Sequence, residues 1–571
     1  MSDKSKQEAA CLFSRAHVDR IKNDYDDWFR HKLSDTDREL EGKYFTHSGI
    51  PVKLIYTPAD VEDIRYAEDI GFSGQPPFVR GVYPNMYRGR LFTVRQLAGL
   101  GAPEDCNRRV KYLLKHGATG VNILFDLPTI RGYNSDDPEA EGNVGHCGAA
   151  VDSIWDMDAF FADIDLAKIS TSIVTHLPST SLVIPAMYFA VAQQRGIALA
   201  ELAGTCQNDF IMETCVGSAP EILPPAVSFR MQCDVVEWIC KNLPRWNPVS
   251  YNGYNLREAG TDAVTEVGIA IANALATARE LIRRGMHIDE IAPRMSFFWD
   301  LHNDFFEEIA KCRASRKVWY RLMRDTFGAR NPKSMLMRFH VQTAGVTLPA
   351  TEPLNNIARS TIQGLAAVLG GCQSLHIDSY DEAYSAPTEE AALVSLRTQQ
   401  IIQNETGVVN TVDPLAGSYY VESLTRQMAE RISDYVRKIE EMGGLVAAVE
   451  SGWLHRQISA YNNAYQKKIE SGETKIVGVN YMKAADAATC PIEVFEYPET
   501  FSRQKAKLDR LRRQRDPEKV SRRLDSLRRK CHSGENLYPY CLEAVKDLVT
   551  LGEIEELFRE EFGLWSFPLI A

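Results

Sequence analysis

Leu91-Phe92-Thr93-Val94-Arg95-Gln96-Leu97-Ala98-Gly99 is an apolar, β-prone run that closes on a cation, an amide and a bulky apolar side chain. Polar groups at the end of an apolar strand usually face a ligand, because the core offers them no partners. Just upstream, Tyr83-Pro84-Asn85-Met86-Tyr87-Arg88-Gly89-Arg90 adds aromatic, thioether and guanidinium groups. That mixture suits an adenine ring, a pantetheine chain and phosphates.

From this run onward, short β-branched or apolar runs recur with helical patterns between them, at 91–97, 121–126, 170–176, 203–208, 249–254, 294–299, 337–343 and 373–378. The separation of roughly 30 to 50 residues accommodates a strand, a helix and two loops, the period of a (β/α)8 TIM barrel. The fold class expected is therefore α/β. Most runs turn polar at their C-terminal end (Arg95-Gln96, Asp126, Gln207-Asn208, Tyr254-Asn255, Gln342-Thr343, and His376 with Asp378), where such barrels carry their active sites.

This reading divides the chain into an N-terminal helical and extended arm (1–90), a barrel (91–400) and a helical C-terminal region with a linker (401–571). Within the arm a charged helical stretch precedes the Pro/Gly-rich segment around Gly74-Gln75-Pro76-Pro77, and an arm of this kind is expected to wrap a neighbour. The Arg/Lys-rich stretch 501–531 is interleaved with Asp509, Asp516, Glu518 and Asp525, the pattern of a solvated helical linker rather than of a nucleic-acid-binding patch.

The 571 residues, 44% of them hydrophobic, can build a large core, and a formal net charge of −11 argues against nucleic-acid or anionic-membrane partners. No apolar run reaches the roughly 20 residues of a membrane helix, and the charged N-terminus is not signal-like, so a cytoplasmic location is expected. The 12 cysteines are scattered without a CxxC, which predicts reduced and mostly buried thiols. His340, His376 and Asp378 lie at strand ends, but no H-x-H or H-E-x-x-H spacing accompanies them, so no metal is expected there.

Six longer motifs occur in order: Phe125-Asp126-Leu127-Pro128-Thr129-Ile130-Arg131-Gly132-Tyr133-Asn134-Ser135-Asp136, Gly204-Thr205-Cys206-Gln207-Asn208-Asp209, Ala292-Pro293-Arg294-Met295-Ser296-Phe297-Phe298-Trp299, His340-Val341-Gln342-Thr343-Ala344-Gly345, Pro353-Leu354-Asn355-Asn356 and Gly370-Gly371-Cys372-Gln373-Ser374-Leu375-His376. Over nearly its whole length the chain resembles the large subunit of the coenzyme B12-dependent acyl-CoA mutases, the methylmalonyl-CoA and isobutyryl-CoA mutase family. The resemblance implies a barrel that binds CoA along its axis. It assigns acyl-CoA binding to Tyr83, Asn85, Met86, Thr93, Arg95, Gln96, Thr205, Gln207, Arg245, Arg294, Ser296 and Ser374. It further implies adenosylcobalamin, with Tyr254 near the adenosyl group, Glu258, Gln342 and Glu382 lining the cofactor side, and Phe125 and Leu127 facing the corrin.

The D-x-H-x-x-G motif of the family's flavodoxin-like cobalamin domain is absent from the sequence. The split organisation of isobutyryl-CoA and 2-hydroxyisobutyryl-CoA mutases is therefore expected, with a small cobalamin-binding subunit, a hetero-oligomer and a GTPase chaperone as implied partners.

Four positions depart from the family's pattern. Leu97 stands where relatives carry Tyr, Phe or Ile, and Gly217 stands where they carry Arg or Gln, which removes a bidentate partner for a substrate carboxylate. Leu124 replaces the Asp of the hydroxyacyl enzymes, and Asn255 replaces a His, keeping a hydrogen-bond donor but no titratable proton. A branched or bulky, non-carboxylated acyl-CoA is the expected substrate. A non-catalytic acyl-CoA-binding paralogue, and a methylmalonyl-CoA mutase-like enzyme with different substrate anchoring, are the rival readings.

Overall fold

The computed structural model describes residues 11–217, 221–484 and 497–568. Eight strands in chain order form the barrel wall: β1 Thr93–Ala98, β2 Gly120–Leu124, β3 Ser170–Val174, β4 Ala203–Gln207, β5 Val249–Asn252, β6 Met295–Leu301, β7 Phe339–Thr343 and β8 Ser374–His376. All eight expected strands are present, with ends shifted by a few residues. Neighbours pair in parallel around the wall, and β1 closes on β8 with Thr93 beside Ser374. Between β4 and β5 the short piece Trp246–Asn247 pairs with β4, and Val249 onward pairs with β6. Pro248, which has no N–H to give, separates the two pieces.

Strand alternation sorts the side chains. On β1, Val94 is buried in the apolar layer between strands and helices, while Thr93 and Arg95 line the lumen. The same layer takes Val121, Ile123, Ile173, Cys206, Tyr251, Phe297, Trp299, Val341 and Leu375. The lumen of such barrels is normally packed with bulky branched side chains. Here its wall carries Ser170, Ser172, Thr205, Ser250, Ser296 and Ser374, which are too small and too polar to fill it.

The arm lies against its own barrel: Arg316 of the helix Phe305–Asp325 donates to the carbonyls of Phe78 and Val79 at 2.9 and 2.6 Å, and Lys317 meets Asp69 at 2.6 Å. The basic stretch forms two helices, Thr500–Gln514 and Pro517–Cys531. Contrary to a solvated linker, they are packed, because Leu508, Leu511, Val520 and Leu527 are buried and the cations face acids of the barrel. Arg503 meets Glu104 at 2.9 Å, and Lys507 meets Asp156 at 3.2 Å. Most described cysteines are buried and none is bridged. Among the described residues no helix is long and apolar enough to cross a membrane.

Candidate functional site

A cavity of about 280 Å³ opens at the N-terminal ends of the strands and runs into the lumen. The sequence expectation of a site at the C-terminal ends is therefore incomplete. The small side chains at the strand starts leave the barrel open from below, and the larger polar groups close it from above.

Arg90, Arg95, Arg245 and Arg338 line this cavity, and among the described residues none of the four makes an ion pair with a carboxylate. Arg95 is buried; its guanidinium donates to the Val121 carbonyl at 2.9 Å and to Ser170 Oγ at 3.0 Å. Burial without a counter-charge pulls its pKa down to about 10, so a negatively polarised ligand atom would be favoured beside it. Around it, Gln207 Nε2 donates to Ser172 Oγ at 3.0 Å, His340 Nδ1 lies 2.7 Å from Ser374 Oγ, and Ser296 Oγ donates to the Val249 carbonyl at 2.9 Å. Burial, reinforced by the Arg95 charge, holds His340 well below the usual histidine range, so this ring is neutral.

The structure thus brings Tyr83, Met86, Thr93, Arg95, Thr205, Gln207, Arg245, Ser296 and Ser374 to one cavity. Three expected members stand apart. Gln96 points away from Arg95 by strand alternation, and its amide donates to Ser395 of the helix Glu389–Asn404 at 2.8 Å. Asn85 is exposed and outside the cavity lining. Arg294 donates to the carbonyls of Leu243 and Trp246, which fixes the loop carrying Arg245 instead of lining the cavity itself. Sequence reasoning missed Ser170, Ser172, Asn247, Ser250 and Arg338, quoted Arg90 only within the upstream run and weighed His340 only as a metal ligand; counting every second residue back from each strand end would have found Ser170, Ser172, Ser250 and His340 as lining residues.

Above the lumen, Tyr254 opens the short helix Tyr254–Glu258 and stacks on Phe298, with ring centroids 5.0 Å apart and planes 1° from parallel. Gln342 Nε2 donates to Tyr254 Oη at 2.9 Å and to Asp378 Oδ1 at 2.8 Å. Glu258 accepts from the Val346 N–H at 2.8 Å. Its carboxyl also hydrogen-bonds to the carboxyl of Asp300, and beyond that contact neither the other Glu258 oxygen nor the Asp300 oxygens meet a donor among the described residues. Burial and then the Asp378 charge push Glu258 up to about 8, and burial with Asp378 and Glu258 raises Glu382 well above the carboxylate range. These acceptors suit a ligand that brings hydroxyl or amino donors, as the ribose and adenine of an adenosyl group do. Leu127 is half-buried, but Phe125 is 1% exposed inside the main apolar core, so its ring does not present a face to a corrin.

Leu97 and Leu124 line a second cavity of about 250 Å³ together with Gln96, Leu100, Ile377, Ala392 and Ser395, with Arg109, His376 and Glu382 among its polar members. Gly217 ends the helix Ile211–Val216, and a Cβ there would collide with the Glu213 carbonyl. Glu213 in turn holds His176 Nδ1 at 3.0 Å. Asn255 Oδ1 accepts from Asn252 Nδ2 at 3.0 Å and its N–H donates to Asn252 Oδ1 at 2.8 Å, which leaves the Asn255 NH2 as its remaining donor.

Fold and site together define a (β/α)8 barrel with a cationic, axially open ligand channel. The sequence profile of methylmalonyl-CoA mutase matches residues 45–564. The chain is 43% identical over 532 residues to the 2-hydroxyisobutanoyl-CoA mutase large subunit of Aquincola tertiaricarbonis, covering 92% of this chain and 93% of that one. It is 40% identical over 553 residues to the methylmalonyl-CoA mutase of Cereibacter sphaeroides, covering 95% of this chain and 76% of that one. It is 36% identical over 527 residues to the methylmalonyl-CoA mutase large subunit of Propionibacterium freudenreichii subsp. shermanii, covering 91% and 72%. The chain belongs to the methylmalonyl-CoA mutase family, whose members are adenosylcobalamin-dependent acyl-CoA mutases, and it is an isomerase of that kind.

Proposed function

We propose that the chain is the large, substrate-binding subunit of an acyl-CoA mutase that rearranges the carbon skeleton of a branched or bulky, non-carboxylated acyl group. The observation that carries this reading is the pairing of two cavities: a cationic one at the strand starts and an apolar one bounded by Leu97 and Leu124. In this reading Arg90, Arg245 and Arg338 meet the phosphates, and Tyr83 and Met86 meet the adenine and the thioether-width chain. Arg95 and Gln207 hold the amides and carbonyl of the ester, and Leu97 and Leu124 face the acyl group.

Tyr254, Glu258, Gln342 and Glu382 would hold the adenosyl part of the cofactor. When bound, adenosylcobalamin supplies the radical chemistry of the rearrangement. The chain's own contribution is positional. The Tyr254–Phe298 stack walls the space above the thioester and excludes water, Gln342 fixes the Tyr254 hydroxyl, and the Asn255 amide donates to the ester carbonyl without transferring a proton. Gly217 offers no guanidinium for a substrate carboxylate, and Leu124 offers no acceptor for a substrate hydroxyl.

A separate small subunit bringing the cobalamin is supported by the near end-to-end match with a relative named as a large subunit. A hetero-oligomer, a GTPase loading chaperone and a cytoplasmic location belong to the same proposal. Turnover on a panel of acyl-CoAs, with the chain reconstituted with a cobalamin-binding small subunit, tests it. Rearrangement of pivalyl- or isovaleryl-CoA in preference to methylmalonyl-CoA and 2-hydroxyisobutyryl-CoA supports the reading, and the opposite preference refutes it.

A further inference from the structure

The arm and the barrel meet at a cluster of ligating groups just past the C-terminal end of β6. His47 N–H donates to Asp304 Oδ2 at 3.2 Å, and Ser48 N–H donates to Glu307 Oε1 at 2.9 Å, so the loop 46–50 is draped over the start of the helix Phe305–Asp325. A ring nitrogen of His47 and carboxylate oxygens of Asp304 and Glu307 all lie within 4.8 Å of one another. No ring nitrogen of His47 is hydrogen-bonded or ion-paired to either carboxylate among the described residues, so the three groups face one another without joining.

A second observation points to a missing ligand. Glu307 is fully buried, and beyond the Ser48 N–H and the Thr46 hydroxyl of the same loop its carboxylate meets no donor and no cation among the described residues. His302, whose ring packs edge-on against His47 with centroids 5.0 Å apart, also leaves a buried Nδ1 without a partner. Buried polar atoms are satisfied as a rule, and an orphaned acceptor is costly. The nearby cation does not serve: Arg257 is committed to Glu308 at 3.0 Å and Glu266 at 3.9 Å. His47 itself is exposed, so an ion can reach the cluster from solvent.

We propose that His47, Asp304 and Glu307 form a binding site for one divalent transition-metal ion of the zinc class, which clamps the N-terminal arm to the barrel. One imidazole and two carboxylates, with water completing the shell, are a donor set that zinc accepts at roughly 2.0–2.2 Å, reached by a small inward rotation of the three side chains. Magnesium and calcium prefer all-oxygen shells, and the imidazole selects against them. The buried Glu307 carboxylate gains a counter-charge, and the loop 46–50 gains a cross-link to a residue 257 positions away in sequence.

The test uses the full chain, stripped of metal by chelation and titrated with Co²⁺ alone as a spectroscopic stand-in for zinc. The expected result is saturable binding of about one ion per chain with d–d absorption of nitrogen and oxygen ligands, weakened at least roughly tenfold by His47→Ala and by Glu307→Gln. His47 is exposed, so its variant keeps the test informative should the Glu307 variant fold poorly. Bound metal should also slow tryptic cleavage at Lys43 and Lys53, which flank the loop. Thiolate charge-transfer bands would place the ion on cysteine, and unchanged affinity in His47→Ala would mark an adventitious ion only. Either result, or no saturable binding, overturns the proposal.

Discussion

Arg95 of β1 donates through Nη2 to Ser170 Oγ of β3 at 3.0 Å, and among the described residues no carboxylate pairs with that buried guanidinium. An unpaired buried cation is tolerated only where a ligand or a set of dipoles replaces water. Ser170 supplies one of those dipoles and orients the fork toward the lumen. Ser170→Ala should weaken acyl-CoA binding by a few fold, consistent with about 0.5–1.5 kcal/mol for one hydrogen bond, and leave the unfolding temperature nearly unchanged. Calorimetric titration with isobutyryl-CoA reads the first quantity and a thermal scan the second.

Lys311 is fully buried, with Nζ 2.7 Å from Glu266 and 2.5 Å from Glu308, and it also donates to the Asp300 carbonyl. Lys311→Met fits the volume but leaves two carboxylates with only Arg257 to balance them. Breaking such a pair from one side costs about 3–5 kcal/mol. Denaturant unfolding should show a loss of that size; a loss under about 1 kcal/mol would mean the carboxylates protonate at no cost.

The pH dependence of stability follows from buried acids whose pKa values rise on folding. Burial pushes Asp126 and Asp209 up to about 7, and burial with the Asp378 charge pushes Glu258 up to about 8. Between the unfolded carboxylate range and these values the folded chain holds protons that the unfolded chain has released. The contribution of each group is therefore present at low pH and lost as pH rises through 7 to 8. The melting temperature should fall between about pH 5.5 and 8.5, and Glu258→Gln, which mimics the protonated acid, should flatten the slope. An identical slope in both proteins would show that Glu258 does not titrate in that window.

Leu97 and Leu124 bound the apolar cavity from adjacent strands. Leu97→Tyr should fill part of that space and shift preference from bulky toward smaller acyl groups, changing relative kcat/KM by roughly 10–200-fold for each methylene-sized misfit. Asn255→His restores a titratable donor, and a bell-shaped or single-limbed pH profile of kcat, absent from the parent, should appear with it. Unchanged substrate ranking in Leu97→Tyr would remove Leu97 from the acyl pocket.

The barrel was legible because each strand leaves a period-two signature between helical patterns, as in Thr93, Arg95 and Leu97 against Val94, Gln96 and Ala98. That same alternation separates Gln96 from Arg95, although motif matching groups them. The mouth at the strand starts was legible only in part, through the resemblance and not through the strand pattern. The resemblance named Ser296 and Ser374, but Ser170 and Ser172 read as ordinary small polar residues until the closed sheet points them at one axis, and Arg338 lies outside the strands altogether. The packed character of the basic helices was hidden for another reason. Arg503 and Lys507 find their acids on Glu104 and Asp156, nearly 400 and about 350 positions away, a pairing no local pattern encodes. The His47 cluster is unreadable for the same reason.

The central claim is that an acyl-CoA ester threads the barrel from the strand starts with Arg95 beside it. The dissociation constants of isobutyryl-CoA for the parent and for Arg95→Ala, measured by calorimetry on the chain without cofactor, test it most directly. The account predicts a loss of at least roughly tenfold, the worth of a hydrogen bond from a buried charge, with the fold intact by circular dichroism. Equal affinity in the two folded proteins would contradict it.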